Sequence, residues 1–256
     1  MMKFNKNRQT HFKVDESGKI CVVYIRKNAC SALKAMILDD IGDLGAGKTD
    51  TQRMAEYRLC NFEEATSARV RSFIIRDPLH RVISGWLNQV VQKIDRAYPE
   101  MFDGITDAVG KHPRDVTFND FLKLYLTRKK INGHFTPVVN HLYPMLYTHV
   151  LHDQSLYDDA RIAFGNDLAQ KNFLRPTNAT GLLKSEHVEG AYNFTAGEIF
   201  DAFKERSILP SKDSFSSPQN IEIINDIYSD DVSVYKSYIK ERIGILGPIS
   251  IDFSDR

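Results

Sequence analysis

The chain has 256 residues, 42% hydrophobic and 26% charged, the composition of an ordinary globular protein. Its formal net charge of +1 sets up no strong overall field, so nucleic-acid binding gets no support, and any anion site must come from local placement of Lys and Arg. The length lies near the upper limit for one hydrophobic core and predicts a single domain over 1–256. Cys21, Cys30 and Cys60 leave an odd thiol and show no metal-ligand spacing, which fits a reducing compartment. Met1 to Gln9 holds no apolar stretch long enough for a signal peptide or membrane anchor, so the expectation is a cytoplasmic protein with no membrane span.

Ile20 to Ile25 is almost continuously apolar and predicts a strand buried on both faces. Leu33, Met36, Ile37 and Ile41 then recur at helical spacing. Gly42 to Asp50 reads as a loop and Thr51 to Leu59 as a short helix; Val70 to Ile75 repeats the buried-strand pattern. Asp77-Pro78 reads as an N-cap and first helical residue, followed by an apolar face of Leu79, Val82, Ile83, Trp86, Leu87 and Val90. Asp95 to Arg114 carries two Pro and two Gly without a clear period and predicts a long loop or lid. Thr117-x-x-Asp120 resembles a capping box ahead of Phe118, Phe121, Leu122, Tyr125 and Leu126. Tyr147 to Leu151 predicts a short strand followed by a helix through Ala163, Ser211 to Gln219 a loop, and Ile221 to Ile239 a terminal helix. Strands alternating with helices predict an α/β fold with a mainly parallel central sheet flanked by helices.

Two strand ends concentrate the polar chemistry. The first runs into Lys27, Asn28, Ala29, Cys30, Ser31 and Ala32 at the start of a helix, where free backbone N–H groups, the helix dipole, a Lys and a hydroxyl suit an anion. The second ends in Arg76, with Ser84 two turns into the next helix between Arg81 and Asn88; an Arg fork and a short hydroxyl suit a phosphate. Each has a plainer reading: a strand-to-helix turn with a solvated Lys, and an Arg76 paired with Asp77 or another nearby carboxylate.

Together these segments resemble the sulfotransferases, especially the carbohydrate branch that modifies chondroitin, dermatan and related glycans. Arg26 to Lys34 resembles that branch's first motif, with Arg26 in place of a usual Pro and Leu33 in place of an aromatic. Its second motif, Arg-Asp-Pro-x-x-Arg-x-x-Ser, is present without a gap from Arg76 to Ser84. His134-Phe-Thr-Pro137, Asn178-Ala-Thr180 and Ile227-Tyr-x-Asp-Asp-Val-x-x-Tyr235 follow in the family's order, with Val138 where Gln is common. The resemblance implies a P-loop-like sulfotransferase fold and 3′-phosphoadenosine 5′-phosphosulfate (PAPS) as the donor. Lys27, Asn28, Ala29, Cys30, Ser31 and Ala32 would hold the phosphosulfate, Arg76 and Ser84 would clamp the 3′-phosphate, and the acceptor would be a hydroxyl of a carbohydrate or glycoconjugate. Asn178 and Thr180 would touch the nucleotide or cap a turn.

Transfer of this kind collects charge on the leaving phosphate oxygen, a charge that Lys27 and backbone N–H groups would neutralise without a metal. The acceptor hydroxyl needs a base, and His134 is the candidate, with His80, His141 and His149 as alternatives. A rival signal is Gly42-Asp-Leu-Gly-Ala-Gly-Lys48-Thr49, which matches the Walker A expression of P-loop NTPases and kinases. That pattern is meaningful only between a buried strand and a helix, whereas here a helical period precedes it. A third possibility is a nucleotide-binding protein of the same fold without catalysis. The sequence sets no oligomeric state.

Overall fold

The computed structural model describes residues 9–39, 41–42, 44–96, 99–174, 184–242 and 249–250. The chain forms two compact units: Met1–Arg76, Val138–Thr177 and Ser233–Arg256 make the first, and Asp77–Pro137 and Asn178–Val232 the second. The boundary between Arg76 and Asp77 thus falls inside the second motif.

The first unit is built on a sheet of β1 (His11–Lys13), β2 (Ile20–Val23), β3 (Val70–Ile75) and β5 (His149–His152), in that order. β1 is the antiparallel edge; β2, β3 and β5 run parallel. Side-chain alternation splits the parallel strands cleanly. Val22, Ile74 and Leu151 pack with α1 (Cys30–Leu38), α7 (Leu156–Phe164) and α8 (Asn166–Phe173). Val23, Phe73, Ile75 and Val150 face the other way, against Val138, Leu142, Tyr147 and Tyr238. Burial on both faces explains the unbroken apolar runs in the sequence. Two further helices, α2 (Asp50–Tyr57) and α3 (Phe62–Ser67), lie between α1 and β3 in the chain, and β4 (Leu146–Tyr147) pairs with β8 (Ile249–Ser250). Cys21 and Cys60 are buried free thiols in one small apolar cluster.

The second unit is mainly helical: α4 (Pro78–Gly85), α5 (Pro99–Val109), α6 (Phe118–Asp120), α9 (Ala196–Arg206) and α10 (Pro218–Ile227), with β6 (Lys184–Glu186) parallel to β7 (Ile208–Pro210). α4 runs into a π-helical turn, Trp86–Val90, and α6 into another, Phe121–Tyr125. Trp86 is the centre of its core, 5.0 Å from the Phe121 ring and 5.8 Å from that of Phe118.

Several expectations are met closely. Val70–Ile75 is β3, Asp77 caps α4, and Thr117 with Asp120 forms both halves of a capping box. Others are corrected. Asp95 to Arg114 is not a lid: α5 occupies its middle, with Met101 and Ile105 one turn apart and only 2% and 0% exposed. Pro99 starts that helix and Gly110, at φ 72°, follows its end, so two of the four residues read as breakers are its start and stop signals, while Gly104 lies within it and Pro113 opens the next turn. α4 carries the expected apolar face but is buried nearly all round, including Arg81 and Ser84. The terminal helix is two, α10 and α11 (Ser229–Arg242), broken at Tyr228, whose buried hydroxyl donates to Phe135 O. Among the described residues no helix is long and apolar enough to cross a membrane.

Candidate active site

Past β2 the chain makes a tight, strained turn. Lys27 has φ 71° and Ala29 φ 48°, two side-chain-bearing residues in the left-handed region. Each such residue costs about 1–3 kcal/mol and persists only where its surroundings enforce it. Asn28, fully buried between them, is part of that enforcement: its N–H bonds Ile25 O at 3.2 Å and its side-chain amide donates to Ile74 O at 2.7 Å. The loop is thereby tied to β3. Ala29 is the left-handed N-cap of α1, and its own C=O accepts from Ala32 N at 3.0 Å. Among the described residues, the N–H groups of Ala29 and Cys30 donate to no carbonyl. Successive N–H groups around such a turn form a concave nest for an anion, reinforced by the helix dipole. Lys27 and Ser31 flank it, both half-buried. Just upstream, burial raises the Tyr24 phenol well above its usual pKa, and its hydrogen-bonded neighbour Cys30 adds to the effect.

Arg76 directly follows β3 and lies beside this loop. Its Nη1 donates to Lys27 O at 3.0 Å, and its Nε lies 3.1 Å from Asp153 Oδ2. The Nε hydrogen is not aimed along that second contact, which is therefore an ion pair rather than a linear hydrogen bond. The carboxylate partner is Asp153, not the adjacent Asp77, whose side chain instead caps α4 by accepting from His80 N at 2.8 Å. Lys34, the last residue of the first motif, pairs with Asp50 at 2.7 Å and lowers its carboxyl pKa. The structure thus brings Lys27, Asn28, Ala29, Cys30, Ser31, Ala32 and Arg76 together in the first unit.

Ser84 and His134 belong to the second unit. Ser84 is 5% exposed in α4. The His134 loop is pinned by two buried residues of the family-like motifs: Arg81 Nη2 donates to Thr136 O at 2.6 Å, and Tyr228 donates to Phe135 O at 2.6 Å. Neither contact was apparent from the sequence, where Arg81 only flanked Ser84. Asn132 Oδ1 accepts from His134 N at 3.0 Å and lies 2.7 Å from Nδ1 of the same histidine. The backbone N–H requires an acceptor there, so the same oxygen takes a proton from Nδ1. In the neutral ring that leaves Nε2 as the basic nitrogen.

Gly85 shows how closely this loop is fitted. A Cβ there would come 2.5 Å from Cε1 of Phe135, which is itself 0% exposed. Gly85→Ala is therefore expected to destabilise the fold by about 1–3 kcal/mol through overpacking. Chemical denaturation checks this; an unchanged midpoint would show that Phe135 yields easily.

Of the alternative bases, His80 stands 4.0 Å from Asp213, His141 bonds Thr10 through its carbonyl, and His149 sits within β5, where burial lowers its pKa. Asn178 and Thr180 lie outside the described residues, as does Asp43. The Walker-like segment follows helix α1, not a strand. Lys48 there is ion-paired with Glu56, which raises its pKa, and Thr49 caps α2 with a reciprocal bond to Gln52. Its lysine and hydroxyl serve α2, so the context that a phosphate-binding P-loop needs is missing. Among the described residues no group of three or more His, Cys, Asp or Glu could hold a metal ion.

No curated protein and no solved structure matches the chain. The profile of the sulfotransferase family matches residues 10–238, a span that includes the strained loop, Arg76, Ser84 and His134. By that match, over most of its length, the chain belongs to the sulfotransferase family.

Proposed function

We propose that the protein moves a sulfuryl group from PAPS to a hydroxyl of a carbohydrate or glycoconjugate, acting as one sulfotransferase domain over 1–256 in the cytoplasm. The observation that carries this reading is the left-handed turn at Lys27 and Ala29, with Ala29 and Cys30 N–H groups that donate to no carbonyl among the described residues and Arg76 fastened beside it. A strained nest next to a Lys and an Arg fits phosphosulfate oxygens. PAPS would supply an activated sulfuryl group on a good leaving phosphate. The Ala29 and Cys30 N–H groups, with Ser31, bind the phosphosulfate, while Asn28 and Ala32, whose own N–H groups are engaged, shape the loop. Lys27 neutralises charge on the departing phosphate oxygen as its bond to sulfur breaks. Nε2 of His134 takes the proton from the acceptor hydroxyl as the new sulfur–oxygen bond forms. Arg76 and Ser84 hold the 3′-phosphate.

Thermal shift with PAP (3′,5′-bisphosphoadenosine, the spent donor) and with ATP plus magnesium separates this reading from a P-loop enzyme: stabilisation by PAP alone is expected, and by ATP alone contradicts it. A radiolabelled transfer screen over sugars, glycolipids and small alcohols then separates enzyme from binding protein. His134→Ala is expected to slow transfer by about 10²–10⁴-fold with PAP affinity unchanged. A wild-type rate in that variant moves the base elsewhere.

A further inference from the structure

We propose that Asp153 is a positioning residue of the donor site, acting through Arg76 to fix both the guanidinium and the Lys27 turn. The role rests on the PAPS reading above, and it adds a third strand end to the two that the motifs mark.

The parallel register places Ile75 opposite His152, and Asp153 N extends the ladder by donating to Ile75 O at 3.2 Å. Asp153 therefore stands directly beside the residue after β3, which is Arg76. Its carboxylate lies 3.1 Å from Arg76 Nε, with side-chain exposures of 22% and 13%, so the pair is largely shielded from water. Shielding makes a charge contact stiffer and stronger than an open surface pair. Arg76 passes the constraint on, since its Nη1 holds the carbonyl of Lys27, the residue at φ 71°. The result is a chain of contacts from β5 through β3 to the loop after β2: Asp153 to Arg76, and Arg76 to Lys27 O.

Asp153 is itself held in place. Asp159, 8% exposed, accepts from His152 N at 2.7 Å and from the Ser155 hydroxyl at 2.9 Å. Gln154 N donates to Nδ1 of His152 at 3.2 Å, so that nitrogen carries the lone pair and Nε2 faces the Tyr235 hydroxyl at 3.3 Å. The turn 152–155 is locked on both sides of Asp153, as a residue that aims another side chain needs. A guanidinium is a rigid plane, so the Nη1 bond to Lys27 O sets one edge of the fork while the Asp153 charge beside Nε draws the other edge toward β5. An acid at this point is costly beside an anion site unless it orients the cation. It contributes negative charge close to where phosphate would bind, and its benefit is geometric.

The test is a double-mutant cycle read by PAP titration calorimetry and by steady-state kinetics with PAPS. Asp153→Asn is expected to raise the PAP Kd and the KM for PAPS about tenfold, the worth of one charge-assisted contact, with a smaller change in kcat. Asp153→Glu is expected to recover part of the loss. In an Arg76→Ala background, Asp153→Asn is expected to add almost nothing, because its effect travels through the missing guanidinium. Full additivity in that background, or tighter PAP binding by Asp153→Asn alone, would overturn the role; the latter would make Asp153 a competitor for Arg76. A thermal melt of each variant separates lost folding from lost aim, and Asp153→Glu preserves the charge if the Asn variant unfolds. If the wild-type protein binds no PAP, the donor reading fails and this role falls with it, an outcome distinct from wild-type binding that Asp153→Asn leaves unchanged.

Discussion

Lys27→Ala is expected to cut sulfuryl transfer about 10²–10³-fold, the usual loss when one preorganised group that stabilises developing charge is removed. The argument is local. Lys27 sits at φ 71° in the turn before α1, half-buried, and its position is set by its own carbonyl's bond to Arg76. That bond uses only the backbone, so an alanine keeps the latch and loses the ammonium. Alanine is no easier to hold at this φ than lysine, so the strain is unchanged and the melting temperature should move little. PAP affinity should fall much less than kcat, since the ammonium acts on charge that grows during transfer. Lys27→Arg should recover only part of the rate, because a planar fork cannot follow one oxygen as a mobile point charge can. A Lys27→Ala enzyme turning over at the wild-type rate would remove Lys27 from the chemistry.

The largest stability effect is expected at Arg81. It is 1% exposed, and burial pulls its pKa below the usual guanidinium value while Asp231 and Tyr228 oppose that pull. Asp231 is 3% exposed, so the two charges are buried in the same unit. Removing this buried guanidinium takes away positive charge that offsets the buried carboxylate, at a cost of about 3–5 kcal/mol. Arg81→Ala also loses the bond to Thr136 O that pins the loop before Pro137. Denaturant unfolding measures the loss. Adding Asp231→Asn should return a substantial part of it, because the buried negative charge that Arg81 offset is then gone. A single variant within 1 kcal/mol of wild type would show that water or rearrangement neutralises Asp231.

What the sequence showed and hid follows from range of interaction. β3 and its Asp77-Pro78 cap were legible because apolar runs and capping are encoded within a few residues. The capping box at Thr117 was legible for the same reason. α5 was misread because its prolines and glycines were counted rather than placed, although Met101 and Ile105 carried a helical spacing. In the site, Lys27 to Ser31 and Arg76 could be named from two contiguous motifs. The partner of Arg76 could not, since Asp153 is 77 positions along and meets it only through the β3–β5 register. One signal was present: a polar His152-Asp153 pair at the end of a third apolar strand. Arg81 and Tyr228 were hidden for a like reason. Their partners are carbonyls, which any sequence supplies, so no residue type marks the contact.

The most direct test is a crystal structure of the protein with PAP. The 5′-phosphate should lie on the N–H groups of Ala29 and Cys30 with the Lys27 ammonium beside it, and the 3′-phosphate should meet Arg76. PAP seated against Lys48 and Thr49, or away from the start of α1, would contradict the account.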